Sequence, residues 1–146
     1  MSREHVAALE HTVQQTNTWL KRLAEEHHLA GKSEAYSALR AVLHSLRDRL
    51  PPEAAVHLGA QLPILVRGIY YEGWRLSGKP SSERTMQEFL DKVASELPPQ
   101  FPRDALGVTE AVYDLLWKEL DPGEVAKVID CLPVSLRSAW PRIARH

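Results

Sequence analysis

Apolar side chains recur along the chain at steps of three and four. Tyr36, Leu39, Leu43, Leu46 and Leu50 fall on one line, and Ala35, Ala38 and Val42 widen it. That spacing predicts a helix with one buried face. Ser33 is the expected N-cap, with Glu34 at the positive end of the helix dipole. Pro51 stops the helix at Leu50, because proline disfavours helical backbone at the residue before it. Ala105, Val108, Val112, Leu115, Leu116 and Leu120 make a second stripe of the same kind. It ends at Asp121-Pro122-Gly123-Glu124, an acidic N-cap with proline at the first helical position and glutamate in capping-box place. Leu62-Pro63 and Leu132-Pro133 each end one short helix and open another. Thr85 and Glu88 form a capping box ahead of Phe89, Leu90, Val93 and Leu97. The first helix is expected from about Arg3 to His28, with Val6, Leu9, Val13, Leu20 and Leu23 on its stripe. Every apolar segment has the helical period, so the fold class is all-α.

These elements repeat. A gapless shift of 70 residues lays Trp19–Tyr70 onto Phe89–Trp140 and superposes Leu20, Ala24, Glu26, Ala35, Ala41, Val42, Leu46, Leu50, Pro52, Leu62, Pro63 and Arg67 on identical residues. Internal duplication accounts for this pattern. The expected architecture is two tandem repeats of a four-helix unit at that offset, with an extended N-terminal helix. The first unit with its extension covers residues 1–76, a linker runs over 77–85, and the second unit covers 86–146, the two units being able to pack as one globular domain. Residues 3–15 have no counterpart in the second unit. The stripe of Val6, Leu9 and Val13 on that extension therefore has to lie on the second half or on another chain, since exposed apolar surface forgoes the stabilisation of burial. A self-association arm is the reading.

Composition narrows the class. At 146 residues, with 44% hydrophobic and 25% charged side chains, the chain has enough apolar material for a packed core. Its net charge of −1 lacks the overall basic footprint of a nucleic-acid binder. Arg40, Arg47 and Arg49, and later Arg137, Arg142 and Arg145, cluster locally, but acids are interspersed. The one cysteine cannot form an internal disulfide. The first residues have no signal-peptide core, and no segment has the apolar length of a membrane span. A soluble, cytoplasmic protein is expected.

Residues 38–74, ALRAVLHSLRDRLPPEAAVHLGAQLPILVRGIYYEGW, with Thr18-Trp19-Leu20 before them and Gln87-Glu88-Phe89-Leu90 after, resemble the bacterial family named domain of unknown function 2267. The likeness runs from the first helix to about Trp140. It implies an all-helical bacterial protein, often with the unit present twice, and supplies no activity, cofactor or catalytic residue. The second half departs from the pattern, with Trp117-Lys118-Glu119 where the first has Arg47-Asp48-Arg49.

No catalytic residue or metal site follows from the motifs. His5 and His11 are six apart, about 120° from alignment on a helix; His27 and His28 are adjacent, and His44 and His57 lie on different helices. No metal-binding or phosphate-cradling motif is present. Cys131, beside the apolar Val125, Val128 and Ile129, reads as a small core residue. The binding candidates are Tyr71 and Trp74, in the aromatic segment Ile69–Trp74, and Arg67 and Arg137, which both units retain four residues beyond the proline. Their structural role would be to cover helix-end carbonyls or to pair with a carboxylate. The expected function is a non-enzymatic interaction or self-associating module for an unknown protein partner or a second copy, without cofactor, membrane or nucleic acid. The alternative is a small-molecule sensor or enzyme with a pocket between the halves, where Arg67, Tyr71 and His57 supply polar contacts.

Overall fold

A computed structural model describes residues 4–145. Seven α-helices follow in order: α1 (Ala7–Glu26), α2 (Lys32–Arg49), α3 (Pro52–Gln61), α4 (Ile64–Tyr71), α5 (Met86–Glu96), α6 (Ala105–Glu119) and α7 (Pro122–Asp130). Two 3₁₀ turns close the chain, Val134–Leu136 and Arg142–Ala144. No strand occurs among the described residues.

α2 occupies the middle. It packs against α1, α3, α4, α5 and α6, and all eight residues from Ala41 to Asp48 are buried. A single apolar core runs through both halves, from Trp19 and Leu23 through Leu39, Leu43 and Leu46 to Val112, Leu116 and Trp140. A helix enclosed this way must satisfy its polar side chains from the neighbours that enclose it.

Most helix boundaries lie where local chemistry puts them. Thr85 Oγ1 accepts the Glu88 amide and the Glu88 carboxylate accepts the Thr85 amide, completing the expected capping box. Asp121 caps α7 through the Glu124 amide. Its box is half made, because the Glu124 carboxylate pairs with Lys127 instead, at 3.4 Å. Ser33 is not the cap of α2: the helix starts two residues earlier than that cap would give, at Lys32 with Gly31 as N-cap, and Glu34 reaches back to the Ala30 amide. α1 begins at Ala7 and not near Arg3, which lies outside the described residues.

Two pairs of helices end 70 residues apart. α1 and α5 stop at Glu26 and Glu96, and α2 and α6 at Arg49 and Glu119. Burial along 61–70 recurs along 131–140 except at Ile69, half-buried where Ala139 is buried. The fourth element differs: α4 is a helix, whereas its counterpart is the 3₁₀ turn Val134–Leu136. Pro141 stands where the first half has Tyr71. It has no N–H to bond the Arg137 carbonyl and restricts Trp140, so a helix cannot run through.

Candidate functional site

The triplet Arg47-Asp48-Arg49, present only in the first half, fastens the segment that joins the halves. Arg47 is 5% exposed, and its guanidinium donates to Asp48 Oδ1 at 2.9 Å and to the carbonyls of Tyr70 and Glu72 at 2.8 Å each. Asp48 is held on its other oxygen by Lys92 at 3.1 Å, and its carbonyl accepts the Ser81 amide at 2.8 Å. Arg49 donates to the Glu83 carbonyl. Burial acts to raise the Asp48 carboxyl's pKa, but the bonds and charges of Arg47 and Lys92 outweigh it and hold it below the usual carboxylate range. These residues bind the chain to itself.

His44, one turn before Arg47, is 3% exposed, and its Nε2 lies 2.7 Å from the Ile69 carbonyl. Burial lowers its pKa, with Arg47 and Arg40 acting in the same direction, against the opposing influence of the Ile69 carbonyl and Glu96. The neutral ring therefore donates to Ile69. Below the ordinary value of 6.5 the unfolded chain takes up this proton before the folded one. Stability due to His44 is thus complete above that value and falls with pH down to the lowered folded value. Acidification from about pH 7 to about pH 5 is expected to depress the melting temperature of the native chain more than that of His44→Gln. Parallel declines in the two chains would show that another group is responsible.

Arg67 and Arg137 take equivalent architectural positions. Arg67 donates to the Leu62 carbonyl at 3.0 Å and the Ala60 carbonyl at 3.4 Å, at the end of α3. Arg137 donates to Leu132 at 3.0 Å and Asp130 at 3.2 Å, at the end of α7. Each guanidinium thereby satisfies carbonyls that a helix end leaves without partners. Tyr70 is fully buried, with its hydroxyl donating to Ala55 O at 2.6 Å. Tyr71 and Trp74 are half-buried and pack on the core, their rings 5.6 Å apart. The Tyr71 ring lies over Gly59, where a Cβ would meet its Cζ at 2.6 Å. At the 70-residue offset Gly59 corresponds to Ile129, which is buried, and Tyr71 to Pro141.

The N-terminal stripe lies in solvent. Val6, Leu9 and Val13 are 53%, 61% and 47% exposed, while Thr12 and Thr16 turn inward. Thr12 Oγ1 accepts the Leu65 amide at 2.9 Å, which sets the start of α1 against α4, while α1 also packs on α6.

Where α3 meets its counterpart α7, the halves leave an open groove of about 480 Å³. Leu58, Leu120, Val125 and Val128 form its buried lining. Polar groups stand at the rim: Glu53, His57, Lys127 and Asp130 are exposed, and Glu124 is half-buried. Cys131 is exposed at this rim, not in the core as its apolar neighbours led one to expect. The turn of chain that ends α7 rotates it outward while Val128 and Ile129 face in. Among the described residues no hydrogen bond reaches the Cys131 thiol or the His57 ring. Of the three polar residues expected in a pocket between the halves, His57 lines this groove and Arg67 and Tyr71 do not.

One juxtaposition escaped sequence reasoning because its members are far apart in the chain. Glu26, His27 and Asp114 bring ligand-type atoms within 4.8 Å of one another. An ammonium already serves this cluster: Lys118 Nζ lies 2.7 Å from Glu26 and 3.0 Å from Asp114, and Arg22 pairs with Glu26 at 3.4 Å. The cluster joins α1 to α6 as an ion-pair network.

No helix of the described residues is long and apolar enough to cross a membrane. No match is found among curated proteins. A family model described as an uncharacterized conserved protein, DUF2267, matches residues 16–139. The match takes in every helix from α2 to α7 and begins just beyond the exposed stripe of α1. With most of its length so matched, the chain belongs to the DUF2267 family.

Proposed function

We propose that this protein is an interaction module whose α3–α7 groove takes one edge of a partner helix carrying apolar side chains flanked by basic ones. The observation that carries this reading is the composition of the groove: an apolar lining with polar groups confined to the rim. A helix laid in such a groove buries side chains spaced three and four apart. The rim supplies the sign. Glu53, Glu124 and Asp130 face one lysine, Lys127, which already pairs with Glu124. Complementary charge steers a basic helix to this surface and repels an acidic one. We read the halves as copies of one ancestral unit, so that the groove runs along the seam between equivalent helices.

Cys131, the one thiol of the chain, reports on occupancy from the rim. An amphipathic model helix of leucine and lysine is expected to slow alkylation of Cys131 by iodoacetamide in a saturable manner. A leucine–glutamate helix of the same pattern should leave the rate unchanged, and Val128→Glu should abolish the protection. Equal protection by both helices, or none by either, overturns the reading. Protection that instead grows with the concentration of the chain alone, and disappears in Leu9→Glu, makes a second copy's α1 the occupant and the module self-associating.

A further inference from the structure

We propose that the first turns of α1 form a self-association surface, on which two copies of the chain pair antiparallel about a two-fold axis near Leu9. Val6, Leu9 and Val13 are 53%, 61% and 47% exposed. Leu20, which follows Val13 after two turns on nearly the same line of the helix, is buried. The stripe is therefore the core-facing side of α1 carried beyond the body that buries it. Thr12, which accepts the Leu65 amide, seats the start of α4 beside this overhang. Ile64 and Leu65, 61% and 41% exposed, extend the apolar surface there.

The form of the surface selects its occupant. Its tip is Val6, and its base is Val13 with the start of α4 next to Thr12. At about 1.5 Å per residue, Val6 and Val13 stand roughly 5 Å to either side of Leu9 along the helix. A two-fold rotation about Leu9 thus lays the tip of each copy on the base of the other, and the two Leu9 side chains meet at the axis. Isologous contacts of this kind need one patch that is its own complement.

Charge and area agree with a second copy. The stripe is uncharged, and Glu10 beside it is paired with His5 at 2.5 Å. Such a face offers nothing to steer an acidic or basic partner, and nothing on the stripe repels its own copy. Five large side chains, each about half exposed, present on the order of 400 Å² of apolar surface, the size of the interaction patches of single chains. Buried on both copies together with the polar borders of the two helices, this surface reaches the roughly 1,000 Å² at which specific association begins.

The test is sedimentation equilibrium of the full chain over a range of concentrations. The average mass should rise toward twice that of one chain. Leu9→Glu and Leu9→Lys should each associate at least about tenfold more weakly, because like charges face each other across the axis. An equimolar mixture of the two variants should recover association, a rescue that misfolding cannot produce. Iodoacetamide should alkylate Cys131 at the same rate in separate and associated chains, since the α3–α7 groove takes no part. The proposal is overturned by the mass of one chain at every concentration, by a Leu9→Glu chain that associates like the native one, or by a mixture that stays apart. Association that slows Cys131 alkylation would place α1 in another copy's groove and overturn it as well. The groove reading stands or falls separately, because the leucine–lysine helix should protect Cys131 equally in Leu9→Glu.

Discussion

Arg47→Ala is expected to destabilise the protein by about 3–5 kcal/mol, the cost of removing one partner from a buried charge pair. For a chain of this size the melting temperature should fall by on the order of 10 °C. Two losses combine. Asp48, 7% exposed, is left with Lys92 as its one cation among the described residues, and the carbonyls of Tyr70 and Glu72 lose their shared donor. Arg47→Lys should recover only part of the loss, because an ammonium cannot present a planar fork to one carboxylate and two carbonyls at once. The segment after α4 is also released, so trypsin should cut at Arg75 faster in Arg47→Ala than in the native chain. Urea unfolding measures the first effect, and a loss below about 1 kcal/mol would mean that Arg47 behaves as an exposed surface pair.

Gly59→Ile, which carries the residue of the second half into the first, should cost about 1–3 kcal/mol by overpacking. The incoming Cβ meets the Tyr71 ring at 2.6 and 2.8 Å. The ring is held in place by Tyr70, at 5.0 Å, and Trp74, at 5.6 Å. In a Tyr71→Ala background the same substitution should be close to neutral or stabilising, since isoleucine is a better helix former than glycine. The interaction between the two sites, read from the urea unfolding of all four chains, is the decisive quantity. Additive effects would show that Tyr71 is displaced at no cost.

The helical stripes, the caps at Thr85 and Asp121 and the proline stops could all be read from the residues, because each depends on neighbours within one turn. The all-α class followed from them. What could not be read depended on distant segments. Arg47 and Asp48 look like a solvated basic cluster in sequence, since charged side chains are rarely buried unless paired, and the pairing groups lie on α4 and α5. The visible signal was that this triplet is missing from the second half. Arg67 and Arg137 were legible as a repeated feature, and their work on helix-end carbonyls depends on the bend that each proline imposes. The outward turn of Cys131 and the groove beside it arise from how α3 meets α7, which no single stripe encodes. His27 and Asp114 meet because α1 packs against α6, elements far apart in the chain.

The central position of α2 also bears on how the chain tolerates being cut. A break in the joining segment would sever the backbone at Ser77–Ser82 yet leave the flank of α2 still covered by α5 and α6, so the two fragments should remain a complex. Either fragment made alone would leave hydrophobic surface uncovered, and the first would also strip Asp48 of Lys92. With one core shared by both halves, a single unfolding transition is the expected behaviour.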